Sequence, residues 1–166
     1  MELQLKSLSP DAIPEALEKA HRYRLLNEPW QAESICMDIL AVEPENQSAL
    51  ITLLLAITDQ FGNQVPVSRA REVLRSMQGE YERAYYAGII CERSARMHMK
   101  PGVPGANHIA YRMFVEAMEC YETAEAHRPA GNDDAILRWN TCARTLMRHQ
   151  ELRPVPEERM EPVLGE

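Results

Sequence analysis

Histidine and cysteine side chains are the groups in this chain whose types and spacing could support metal or acid-base chemistry. His98 and His108 flank a segment rich in proline and glycine, and Cys91 precedes His98 by about two helical turns. A zinc site usually draws its ligands from short pairs such as C-x-x-C or H-x-x-x-H, and the sequence contains neither. We therefore interpret these residues as ordinary histidines and a core cysteine, and we predict no metal and no cofactor.

The remaining candidates for chemistry are the thiols and the motifs that form catalytic sites. Cys36, Cys91, Cys120 and Cys142 are widely spaced, and each falls inside an apolar helical pattern. This pattern is typical of reduced, buried thiols in a cytosolic protein rather than of a disulfide frame. The sequence holds no G-x-S-x-G, no H-E-x-x-H and no phosphate-binding glycine loop. We predict no catalytic residue, and the alternative left open is a helical enzyme or small-molecule binder with an unrecognised site.

Acidic and basic residues are distributed unevenly along the 166 residues, whose net charge is −7. Residues 1–65 carry ten acids and four bases, a balance of −6, whereas residues 66–100 carry seven bases and four acids, a balance of +3. Because nucleic-acid affinity comes mostly from neutralised phosphates, this composition argues against a nucleic-acid partner. The N-terminus lacks a basic and hydrophobic leader, and no apolar run approaches the roughly 20 residues that span a bilayer. We expect a cytoplasmic protein that does not enter the membrane.

Small and aromatic residues recur at helical spacing in two stretches, each of which ends at a proline. Ala117, Tyr121 and Ala124 precede Pro129 at intervals of four, three and five residues. The same intervals separate Ala32, Cys36, Ile39 and Pro44. Small residues at this spacing let two helices approach closely, and the proline leads into a turn before the next helix.

These two stretches resemble the second helix of a tetratricopeptide repeat. The resemblance covers roughly residues 11–148 and implies an all-α fold, a right-handed solenoid of helix pairs with about three repeats and a C-terminal capping helix. The distance from Ala32 to Ala117 is 85 residues, where two strict repeats give about 68, so the array is irregular.

The predicted helices cover about 11–26, 29–42, 47–60, 67–77, 80–99 and 108–126, and a last helix follows a cap at 132–134 and ends near 148. We expect the third helix to be buried between neighbours, because it is apolar nearly all round. On the last helix we place Arg138 on the polar back. Residues 1–149 then form one helical domain, and residues 150–166, with three prolines and five glutamates, form a disordered tail.

The resemblance also implies where a partner binds, since tetratricopeptide proteins usually hold it in the concave groove lined by the first helix of each pair. The fifth predicted helix would present a stripe within about 80 degrees of arc, formed by Tyr85, Ile89, Arg93, Arg96 and Lys100. The first helix would add His21 and Arg24 to the same groove. Aromatic and aliphatic residues followed by cations suit an amphipathic peptide or an acidic tail.

The resemblance therefore implies a non-catalytic protein-protein interaction module, acting as a scaffold, adaptor or chaperone. Its expected partner is a peptide segment or acidic tail of another protein, and self-association is left open. The competing interpretation of the stripe is a solvated helix face, whose arginines pair with Glu92 or with acids on neighbouring helices.

Overall fold

The computed structural model describes residues 3–99 and 102–154, and within these ranges the chain is helical without a strand. A 3₁₀ turn at Pro10–Ala12 leads into α1 (Ile13–Leu25), α2 (Pro29–Val42), α3 (Gln47–Asp59), α4 (Val67–Arg75), α5 (Glu80–His98), α6 (Ala106–Ala126) and α7 (Asp134–Arg148). The prediction of an all-α chain is confirmed over these residues. None of the helices in the described ranges combines the length and the hydropathy needed to span a bilayer.

Capping residues and prolines set several of the helix boundaries. Pro29 opens α2, at a position where a backbone N–H would have no intrahelical partner. The Asn46 side chain caps α3 by accepting a hydrogen bond of 2.9 Å from the backbone N–H of Ala49. Before α6, Gly105 has a φ of +77°, in the left-handed region that favours glycine. That turn allows α6 to begin at Ala106, two residues earlier than predicted.

Successive helices pack against one another along the chain, and α3 also contacts both α1 and α5. Eight of its thirteen residues are buried. They are Ala49, Leu50, Thr52, Leu53, Leu54, Ala56, Ile57 and Thr58. The prediction that this helix is enclosed by its neighbours is confirmed, and α3 links the first helix pair to the rest of the fold.

The contact between α5 and α6 depends on a glycine. Gly88 on α5 faces the ring of Tyr121 on α6, and a Cβ at residue 88 would lie 2.5 Å from Tyr121 Cε1. Tyr121 and Ala117, one turn apart on α6, are both fully buried. The predicted burial of Ala117 in the helix contact is confirmed. Gly88 thus makes room for a tyrosine ring.

The segment after α7 folds back onto the start of α6. Leu152 is buried, and its backbone N–H donates to the His149 carbonyl over 3.0 Å. The carbonyl oxygen of Arg153 lies 2.7 Å from Nδ1 of His108. Of the predicted tail, Leu152 packs against the domain while residues 150, 151, 153 and 154 are exposed, and residues 155–166 lie outside the described residues. The boundary at 149 stays a prediction.

We predict that Gly88→Ala lowers the free energy of unfolding by about 1–3 kcal/mol. Alanine gains roughly 1 kcal/mol over glycine in a helix interior, but the added methyl would overlap a fully buried ring that cannot move without repacking the core. Urea denaturation followed by circular dichroism measures the difference.

The control is Gly88→Ala combined with Tyr121→Leu, which removes the ring. In the Tyr121→Leu background, the added methyl should lower the free energy of unfolding by less than it does in the wild-type chain. A Gly88→Ala protein that is as stable as wild type would show that α5 and α6 can separate here without loss.

Candidate functional site

Two arginines from different helices share the carboxylate of Asp59. Arg24 of α1 donates from Nε to Asp59 Oδ2 over 2.8 Å, and Arg93 of α5 donates from Nη1 to Asp59 Oδ1. Because Asp59 ends α3, these bonds join one face of α1, α3 and α5. One turn earlier on α1, His21 Nε2 lies 2.8 Å from the hydroxyl of Thr52 on α3.

A second carboxylate, that of Glu92, is buried between α5, α6 and α7. Glu92 is 1% exposed, and its Oε2 accepts a hydrogen bond of 2.8 Å from the Tyr121 hydroxyl. Its Oε1 accepts from Arg96 Nη2 over 3.1 Å and lies 3.6 Å from Nη1 of Arg138 on α7. A buried carboxylate without partners costs several kcal/mol, and these three groups compensate the burial of Glu92.

Arg93 of the first cluster and Arg96 of the second lie one turn apart on α5, so we treat the two clusters as one surface and call it the arginine face. It consists of Arg24, Arg93, Arg96 and Arg138 with the acids Asp59 and Glu92. Four guanidinium groups minus two carboxylates leave a formal excess of +2, in a chain whose net charge is −7. The side chains of Arg96 and Arg138 remain 44% and 37% exposed, so their outer N–H groups stay within reach of a ligand.

The pKa values of two groups around Glu92 favour the hydrogen-bonded arrangement. Burial raises the pKa of the Tyr121 hydroxyl well above its usual range, and the negative charge of Glu92 raises it further. For Arg138, burial opposes the charged form, but the Glu92 carboxylate and the neighbouring Tyr85 side chain outweigh burial and raise its pKa. Tyr121 and Arg138 therefore both stay protonated as donors.

The aromatic and aliphatic part of the predicted stripe lies deeper than expected. Ile89 is 1% exposed and packs in the core, so it does not lie on the surface that the stripe was expected to present. The physical reason is that α5 is flanked by α3, α4 and α6, which bury residues around most of its circumference. Tyr85 is half-buried and stacks on Tyr81, with ring centroids 5.6 Å apart.

The cationic part of the predicted stripe lies on the arginine face. Arg93 and Arg96 are each paired with an acid, which is what the competing interpretation expected, with Glu92 as one of those acids. The neutralisation is incomplete, because each carboxylate is shared by two arginines. Lys100 lies outside the described residues, and the role of the stripe in binding a partner stays a prediction.

Sequence reasoning missed the burial of Glu92 and the direction of Arg138. The sequence predicted Arg138 on the polar back of the last helix, whereas its guanidinium group reaches the buried carboxylate. The i,i+4 spacing of Glu92 and Arg96 indicates that pair. No local pattern indicates the bond from Tyr121, which lies 29 residues away in the sequence.

The histidines that the sequence singled out do not share a site with the thiols. His98 borders a cleft with Gly62 and Met97, and His108 contacts the carbonyl of Arg153. In the part of the chain that the structure describes, no group of three or more His, Cys, Asp or Glu side chains could hold a metal ion.

Removing the Tyr121 hydroxyl tests the cluster around Glu92. Tyr121→Phe keeps the buried ring but leaves Glu92 Oε2 without this donor, so we expect the free energy of unfolding to fall by about 1–3 kcal/mol. In a double-mutant cycle with Glu92→Gln, measured by urea denaturation, the two changes should be coupled by about 0.5–3 kcal/mol. If the losses in free energy of unfolding caused by the two single substitutions add to within about 0.5 kcal/mol of the loss in the double variant, a direct hydrogen bond is contradicted.

Alkaline pH gives a second test of the same hydroxyl. A tyrosine in the unfolded chain ionises near pH 10, whereas burial raises the pKa of Tyr121 in the folded chain. Its contribution to stability is therefore complete below about pH 10 and is lost as the pH rises, because only the unfolded chain then releases the proton. Between about pH 9 and 11, the free energy of unfolding of Tyr121→Phe should fall less steeply than that of wild type. Equal slopes would show that the hydroxyl ionises as easily in the folded chain.

Comparison with known proteins adds no relative to these observations. No protein-family model matches the sequence, and neither a curated protein nor a solved structure shows significant similarity to it. The tetratricopeptide resemblance therefore rests on the spacing of its small residues and prolines, and it remains a prediction.

Proposed function

We propose that this chain is an irregular, tetratricopeptide-like adaptor or chaperone that binds an acidic segment of another protein on the arginine face. The observation that carries the proposal is the formal excess of +2 on that face, four arginines minus two acids, in a chain of net charge −7. An acidic partner is attracted to this face and repelled by much of the remaining surface. Charge therefore selects both the partner and its orientation.

The arrangement of the helices supports this proposal. α3 contacts α1 on one side and α5 on the other, as alternate helices do in a stack of helix pairs. The arginines come from α1, α5 and α7, and the shared acid Asp59 comes from α3. Of these helices, α1, α3 and α5 are the ones that the family resemblance makes the first helix of each pair, where it implies that a partner binds.

The chemistry of the face suits carboxylate ligands. A guanidinium group presents a planar fork of N–H donors that matches a carboxylate, and each arginine uses only part of that fork on Asp59 or Glu92. The Tyr85 side chain lies next to Arg138 and adds an aromatic contact for an apolar residue of the same segment. Charge attraction would mainly raise the association rate, and the aromatic contact would slow dissociation.

The test uses a variant that weakens the arginine face without leaving either acid unpaired. Arg24→Gln with Arg96→Gln removes two charges, while Asp59 keeps Arg93 and Glu92 keeps Arg138. The affinity-tagged variant and wild type are used to capture proteins from native host extract, and the captured proteins are quantified by mass spectrometry. We expect at least one protein with an acidic segment to bind wild type and to be recovered about tenfold less with the variant.

The matched control is Arg22→Gln with Arg83→Gln, which removes the same charge from exposed positions on the same two helices, α1 and α5. This control should capture the partner as wild type does, and the wild-type association should slow as salt rises. If the variant and the control lose equal amounts of captured partner, net charge alone determines binding. No loss in either would place the partner elsewhere, and both results would contradict the proposal.

A further inference from the structure

Two cysteines that are 29 positions apart in the sequence open onto one cleft on the other side of α5. The cleft has a volume of about 330 Å³ and lies between α4, α5 and α6. Leu74 and Ile90 give it apolar walls, Arg71 and Glu116 border it, and Cys91 and Cys120 both line it. Cys120 is half-buried and Cys91 is 6% exposed, so a small molecule in the cleft meets Cys120 first.

The packing of α5 on α6 holds these two thiols beside each other. Glu92 follows Cys91 and Tyr121 follows Cys120, and these two neighbours are joined by a hydrogen bond of 2.8 Å. One turn earlier on α5, Gly88 lets the Tyr121 ring approach closely. These contacts hold α5 against α6 next to the two cysteines, which line the same cleft.

We propose that Cys91 and Cys120 form a reactive dithiol at this cleft, which reduces a small-molecule disulfide and closes a disulfide between α5 and α6. Cys120 attacks as the thiolate, forms a mixed disulfide and releases one thiol of the reagent. Cys91 then attacks the Cys120 sulfur and displaces the second thiol of the reagent. Two protein thiols are oxidised, one disulfide is reduced, and the two thiol protons end on the two released thiols.

The acid-base properties of the pair agree with this division of roles. Interaction with the neighbouring Cys91 thiol lowers the pKa of the Cys120 thiol, against the opposing effects of burial and of Glu116. The same interaction between the two thiols, followed by burial, raises the pKa of Cys91. The thiolate therefore forms at the more exposed sulfur, which is the one that a disulfide in the cleft can reach.

The other two cysteines serve as internal controls. Cys36 and Cys142 are fully buried, and burial raises the pKa of each thiol to about 12. Both are free and neither lines this cleft. Reaction of the folded protein should therefore distinguish the pair from the remaining thiols.

The experiment treats the folded, reduced chain with one equivalent of 4,4′-dithiodipyridine, a neutral aromatic disulfide whose released thiopyridone is followed by absorbance. Trypsin separates the four cysteines, because they fall in the peptides 25–69, 84–93, 113–138 and 139–144. We expect two thiopyridones per chain, no thiopyridyl group retained, and peptide 84–93 joined to peptide 113–138. Modification spread equally over all four cysteines, or Cys120 that keeps its thiopyridyl group, would overturn the proposal.

Two variants test the order of the steps. Cys91→Ser should release one thiopyridone and keep the second on residue 120, because no neighbouring thiol displaces it. Cys120→Ser should react about tenfold more slowly, because the remaining thiol of the pair is buried and its pKa is raised. Retention of the wild-type rate by Cys120→Ser would show that Cys120 is not the attacking thiol. Peptide mapping of the wild-type chain decides the proposal even where a variant is unstable.

Discussion

A carboxylate buried at Glu92 has to be surrounded by donors, and this requirement orders the C-terminal half of the fold. Its three partners, Arg96, Tyr121 and Arg138, come from three different helices, so α5, α6 and α7 are held in one relative position. Tyr121 has room for its ring because residue 88 is glycine. Apolar replacements of a buried ionic cluster are often as stable as the cluster itself, so we attribute to these groups the orientation of the helices rather than net stability.

Asp59 has the corresponding role in the N-terminal half, where it joins α1 to α5 through two arginines at the end of α3. Asp59 and Glu92 differ in exposure, since the Asp59 side chain is 20% exposed and that of Glu92 is 2% exposed. In both clusters one acid holds two arginines. The arginine face is therefore positioned by contacts that orient the helices, and its excess charge follows from the ratio of two arginines to each acid. A partner that binds there meets guanidinium groups whose directions are already fixed, which lowers the entropic cost of binding.

The local sequence pattern was sufficient to predict the helices and much of the core. The bounds of α2 follow from Pro29 and from the turn after Val42, and the fully buried Ala32 and Ala117 follow from the small-residue spacing. The same reasoning failed for Ile89, because projecting one helix shows which residues share a face but not which neighbours cover that face. Long-range pairs such as Glu92 with Tyr121 are determined by how the helices pack. An isolated sequence does not contain that information in its periodicity.

α5 connects the two sites that the structure suggests. Cys91 and Glu92 are adjacent in sequence and so point about 100 degrees apart around the helix, one toward the cleft and the other toward the arginine face. On α6, Cys120 and Tyr121 are adjacent in the same way, so a bond between Cys91 and Cys120 would lie beside the hydrogen bond between Glu92 and Tyr121. A disulfide fixes the spacing of the two helices more narrowly than packing does, since its geometry allows little variation in the distance between the two Cα atoms. Oxidation at the cleft would therefore restrict the same helix contact that positions Arg96 on the opposite side of α5.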